Sequence, residues 1–149
     1  MFVTSHVLVG ALIGRVLARH PVGAFAAGVV SHFAMDARPH YGVPGQSADS
    51  PDFLRVARCD GCAGLGAMAL AAGISPRRSR RAVVAGMVGG AVVDSDKPME
   101  YFFGWNPWPS WWQRLHRQIQ NEKPSRLPAE VAVAAGLLAV VWLLVPERS

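Results

Sequence analysis

Five apolar runs, at residues 2–18, 22–35, 56–74, 82–93 and 129–145, set what this 149-residue chain can fold into. Each is long enough for a helix, and polar or Pro-containing sequence separates one from the next. A full membrane crossing needs about 20 apolar residues, a length that only the third and fifth runs approach. Tilted, locally thinned or half-inserted helices are therefore expected. Gly and Ala inside the runs suit helices that must approach closely in lipid. Only 17% of residues are charged and 51% are apolar, against about a quarter charged in soluble domains. The predicted fold class is all-α: a single integral membrane bundle over residues 1–149, with four to five short helices and an interfacial Trp/Arg-rich segment.

Fifteen Lys and Arg against ten Asp and Glu give a formal charge of +5. A nucleic-acid-binding protein gathers such charge on one face of a soluble fold. Here it flanks the apolar runs instead, so nucleic acid is not the expected partner. Cys59 and Cys62 provide no disulfide framework and read as small buried residues near the site. A secretory signal carries positive charge ahead of its apolar stretch, whereas here Arg15 and Arg19 come late. The first run is thus read as a retained helix.

The connections sort into two faces. Arg19-His20-Pro21 reads as a tight turn. Residues 38–53, rich in Pro, Gly and Ser, read as an exposed loop. Residues 75–81 carry four Arg and read as a short loop anchored at the cytoplasmic side. In the long polar stretch 94–128, Trp105, Trp108, Trp111 and Trp112 run into a basic helical segment, the pattern of a chain lying in the headgroup layer.

Ionisable residues at membrane helices are costly and call for a reason. His6 lies near the start of the first run, and His32 and Asp36 close the second. Asp60 opens the third, Asp94 and Asp96 close the fourth, and His116 follows. Up-down alternation places all of them at one face. Imidazole and carboxylate groups converging from several helix ends suit zinc or another divalent transition metal. His32 and Asp36, four residues apart, share a helix face. His40 reads equally as a ligand, a general acid or an exposed loop histidine.

The segments TSHVLVGALIG, SHFAMDARPHYG, GGAVVDSDKPMEYFFG and WWQRLHRQIQ resemble, in order, the motifs of bacterial inner-membrane metal-dependent hydrolases, a group likened to zinc-dependent phospholipase C. The resemblance spans about residues 4–120 and places His6, His32, Asp36, Asp60, Asp94 and His116 at motif positions. Val93 and Lys97 stand where that group has the Pro and His of Pro-Asp-x-Asp-His, and Gln120 where it often has a second His.

The expected function is a multi-pass inner-membrane hydrolase acting on a lipid-linked phosphoester at the headgroup layer, with membrane lipid and a lipid-like substrate as partners. The candidate metal ligands are His6, His32, Asp36, His40, Asp60 and Asp94; the candidate catalytic residues are Asp94, Asp96 and His116. Arg38, Lys97, Arg114 and Arg117 are candidates for holding phosphate oxygens. The alternatives are a noncatalytic membrane scaffold or a small metal transporter, though a transporter places its ligands near the bilayer midplane.

Overall fold

The computed structural model describes residues 1–44 and 50–144; positions 45–49 of the predicted loop and Val145 at the end of the fifth run lie outside the described residues. Every regular element described is helical: α1 (Val3–Val16), α2 (Pro21–Asp36), α3 (Pro51–Ile74), α4 (Arg77–Val92), α5 (Asp96–Phe103), α6 (Ser110–Ile119) and α7 (Leu127–Leu143). Short 3-10 turns at Val93–Ser95 and Pro124–Arg126 lead into α5 and α7. The count exceeds the four to five expected because the polar stretch 94–128 is itself largely helical.

Proline sets the helix starts. Its missing N–H is harmless in a first turn and its fixed φ already suits a helix. Pro21 opens α2, and Pro51 opens α3 behind a Ser50 cap whose hydroxyl accepts from the Phe53 N–H at 3.3 Å. Pro76 precedes α4, so residues 77–81 of the expected arginine loop form its first turns instead. Gly104, at φ 69°, ends α5 in the left-handed region that glycine tolerates.

α1, α2 and α4 form the centre, and their seams contain almost no side chains. A Cβ placed on Gly10 would meet the backbone of Gly86, and one on Gly14 the backbone of Ala82 and Val83. Such close approach fixes helix spacing through peptide groups. Beside this seam Val7, Leu8, Ala11, Ala67, Ala71, Val83, Met87 and Val141 make the apolar core, joining α3 and α7 to α1 and α4.

Beside the apolar core, several polar residues are buried and many large apolar ones are exposed. His6, His32, Asp36, His40, His116 and Glu130 are buried, while Val16, Val22, Val30, Leu65, Leu143 and other large apolar residues are exposed. Among the described residues one segment, Pro124–Leu143, has the length and mean hydropathy (1.7) to cross a membrane. α3 has the length, at 24 residues, but Asp52, Arg55, Arg58 and Asp60 occupy its first half. α1 is apolar but spans only 14 residues.

Candidate metal centre

One end of the bundle gathers the start of α1, the end of α2, the 3-10 turn after α4, and α6. His6 arrives on α1, His32 and Asp36 on the last turns of α2, Asp94 on the 3-10 turn and His116 on α6. Asp36 sits in the middle. Its Oδ1 lies 3.2 Å from His6 Nε2, and its Oδ2 lies 3.2 Å from His32 Nε2 and 3.1 Å from His116 Nε2. The Met1 amine also reaches Oδ1, at 3.1 Å. Asp94 closes the far side, 4.0 Å from His32 Nε2 and 3.8 Å from His116 Nε2.

Backbone carbonyls orient two of the rings. Gly90 O lies 2.7 Å from His32 Nδ1, and Arg38 O lies 2.9 Å from His40 Nδ1. A carbonyl only accepts, so each Nδ1 carries a proton and each ring turns its Nε2 inward. His32 Nε2 then stands 3.3 Å from His116 Nε2. His40 Nε2, fully buried, points towards Asp36 Oδ1 at 4.0 Å and has no hydrogen-bond partner. Both His6 nitrogens and Asp94 Oδ1 are likewise buried without a partner of hydrogen-bonding geometry.

These groups have the chemistry to hold a metal ion. Ligand atoms of His6, His32 and Asp94 fall within 4.8 Å of one another, as do those of His32, Asp36 and His116. Four ligands held tetrahedrally at zinc distances are separated by about 3.4 Å, close to the 3.1–3.3 Å among His32, Asp36 and His116. The orphaned inward atoms and the all-imidazole-and-carboxylate chemistry fit a divalent transition ion. The backbone carbonyls of Gly90 and Arg38 hold the His32 and His40 rings from behind, as outer partners of metal-binding imidazoles do.

The remaining candidates divide. Lys97 Nζ lies 3.5 Å from Asp94 Oδ1. Burial works to raise the Asp94 carboxyl, but Lys97, His32 and His6 together outweigh it and hold it below the usual carboxylate range. Asp96 is pushed up by burial despite Lys97 beside it; its carboxylate accepts from the Lys97 backbone N–H at 2.8 Å. Arg38, Arg114 and Arg117 are exposed and, among the described residues, make no ion pair with the cluster.

Asp60 is a correction. It does not join the cluster but caps α1: its carboxylate accepts from the Val3 and Thr4 N–H groups at 2.7 and 3.2 Å and from the Thr4 hydroxyl at 2.7 Å. The reason lies in the start of α3, which begins at Pro51 rather than 56 and so carries Asp60 to its tenth residue. Cys59 and Cys62 are exposed on α3, not buried near the site. Of the tryptophans, Trp108 and Trp112 stack and Trp112 packs edge-on to Phe33, whereas Trp105 and Trp111 face outward.

No protein family, characterised protein or solved structure matches this chain. The site therefore stands on its own geometry. Gln120 stands in the sequence only as a departure from the motif, and two further features were not expected from it. Gln120, one helical turn beyond His116, places its Nε2 3.2 Å from His116 Nε2. Residues 121–123 pair by backbone with 36–40, through Asn121 N–H to Asp36 O, His40 N–H to Asn121 O and Lys123 N–H to His40 O. Glu130, buried on α7, accepts from the Phe2 N–H at 3.0 Å. A lone acid in an apolar run was the available signal for Glu130.

Proposed function

We propose that this chain is a multi-pass inner-membrane, metal-dependent hydrolase of a lipid-linked phosphoester, related to the inner-membrane hydrolases that its motifs resemble. The observation that carries the reading is the burial of His6, His32, His40, His116 and Asp36 with Asp94 at one bundle end, several of their inward atoms lacking any protein partner. Desolvating so many polar atoms without partners is costly, and a shared cation removes that cost.

The ligands would come from His6, His32, Asp36, His116 and Asp94, with His40 within reach. Zinc or a similar ion, when bound, would supply Lewis acidity towards a phosphoryl oxygen and lower the pKa of a water towards neutrality. The protein's own part is positional. Asp36 sets the spacing of three imidazoles, and the Gly90 carbonyl fixes the His32 tautomer. Lys97 orients Asp94 and offers an exposed ammonium to a phosphate oxygen at the rim. Asp94 would serve either as a further ligand or, through Oδ1 facing Lys97 and His116, as general base.

The headgroup location draws on the surroundings of the site. Tyr101, Phe102, Phe103, Trp105 and Trp111 on and between α5 and α6 expose their rings, as aromatic side chains do at a lipid–water boundary. The many large apolar residues exposed on the bundle support insertion of α1–α4 together with α7, their individual shortness being met by tilt and local thinning.

Metal analysis of the purified full chain tests the proposal. One or more equivalents of transition metal in wild type, lost in His32→Ala, is the expected result, followed by hydrolysis of phospholipids or polyprenyl phosphates in an activity screen. Wild type without stoichiometric metal would leave the noncatalytic scaffold as the better reading.

A further inference from the structure

The end of the bundle remote from His6 and His32 carries a second chemistry. There the first turns of α4 and the start of α2 border an open groove lined by Arg77, Arg80, Arg81, Phe25, Val84 and Val88. Phe25, Val84 and Val88 each expose more than a third of their surface. The Arg80 guanidinium donates to Ser75 O at 3.1 Å, which ties it to the end of α3.

Among the described residues no carboxylate pairs with Arg77 or Arg81. Residues 1–35 and 61–93, which build α1, most of α2 and α3, and all of α4, contain no Asp or Glu. Arg15 adds to the imbalance from α1. The neighbouring Gly14 packs on Ala82 and Val83, so Arg15 lies level with the start of α4, and its guanidinium nitrogens are shielded from solvent without a hydrogen-bond partner. A cationic end with an apolar wall is complementary to a molecule that is anionic at one point and aliphatic beyond it.

We propose that the groove binds an anionic phospholipid, its phosphate held by Arg77 and Arg81 with Arg80, and one acyl chain lying along Phe25, Val84 and Val88. The site rests on the membrane-embedded reading but not on the metal chemistry. Guanidinium forks match phosphate oxygens bidentately, and basic pockets at the cytoplasmic ends of membrane helices are where anionic headgroups concentrate. A free phosphate would leave the apolar wall wet. A zwitterionic lipid would bring its own ammonium against the arginines. The lipid would occupy the leaflet opposite the His/Asp cluster, and so is structural and separate from the substrate.

The test uses the full chain in neutral detergent, titrated with phosphatidylglycerol, with phosphatidylcholine of the same acyl chains, and with inorganic phosphate. Native mass spectrometry counts bound lipid and thermal unfolding reports its effect. Phosphatidylglycerol is expected to remain at one per chain and to raise the melting temperature, with the other two at least about tenfold weaker. Each arginine near a charged surface is worth about fivefold in affinity. Arg77→Gln/Arg81→Gln should therefore weaken phosphatidylglycerol by about 25-fold while metal content and helicity stay unchanged. Phe25→Ala, on an exposed helix face, should weaken the lipid and leave inorganic phosphate unaffected. The charge-matched Lys123→Gln/Arg126→Gln, at the other end, should change it by less than twofold. Undiminished binding in the arginine double variant, an equal loss in the control, or inorganic phosphate matching the lipid would each overturn the site. A chain that stays monodisperse without detergent would instead overturn the membrane reading beneath it.

Discussion

Gly90→Ala is the sharpest probe of how the bundle holds the site. A Cβ at Gly90 would stand 2.6 Å from His6 O and 3.1 Å from the His6 carbonyl carbon, whereas ordinary contact starts at 3.4 Å. The required separation is 3.4 − 2.6 = 0.8 Å, and it falls on backbone, which cannot swing aside as a side chain can. Gly90 also supplies the carbonyl that orients His32, so both histidines are displaced together. Metal sites tolerate errors of about 0.2 Å in ligand distance; the shift is several times that. Alanine raises helix propensity by about 0.5–1 kcal/mol, and overpacking costs about 1–3 kcal/mol, so stability should fall by roughly 1–2 kcal/mol. The expected outcome is a folded protein, with a modestly lowered melting temperature in detergent, that retains less than a tenth of the wild-type metal by elemental analysis. Gly136→Ala, where a Cβ meets nothing within 4 Å, is the matched control and should keep its metal. Full metal occupancy in Gly90→Ala would refute the rigid-seam argument.

Other outcomes follow from the same geometry. Asp60→Ala removes three hydrogen bonds at the start of α1 and should cost about 1–3 kcal/mol in thermal or denaturant unfolding, with metal still bound if excess is supplied. Cys59→Ser/Cys62→Ser should leave metal content unchanged, because both thiols are exposed on α3 away from the cluster. In metal-free protein, Asp94 has a depressed folded-state pKa, so its stabilising contribution is present above the ordinary carboxylate pKa and lost as pH falls through the folded value. Lys97→Met removes the nearest attraction and should move that loss to higher pH, seen as an earlier acid transition in circular dichroism. Trp111, exposed on α6, should be quenched by brominated lipids in reconstituted vesicles more strongly than Trp112, which packs on Phe33 and Trp108.

The gathering of His6, His32, Asp36 and Asp94 was legible in the sequence because alternation of helix direction needs only the order of apolar runs and the end at which each polar residue falls. His32 and Asp36 needed only their spacing. Helix starts were less legible. The first turns of α3 and α4 are polar, so hydropathy placed them in loops, and Pro51 and Pro76 were the better signals. That misplacement by several residues is what turned Asp60 from a cap into an expected ligand. The backbone pairing of 121–123 with 36–40 had no signature at all, being a contact between irregular segments far apart in sequence. Tyr101, Phe102 and Phe103 could not be sorted into packed or exposed from sequence either, since α5 buries no residue fully.

The glycine seam bears on which ion the proposed centre prefers. His6, His32 and Asp94 hang from three chain segments whose separation is set where peptide groups touch at Gly10, Gly86 and Gly90. An ion that does not suit that spacing, calcium with its longer oxygen bonds of about 2.3–2.6 Å or zinc with its shorter ones, has to be accommodated by backbone movement rather than by side-chain rotation. Discrimination by size is then a property of the scaffold, independent of the chemical softness of the donors, and widening the seam should relax it before it abolishes binding.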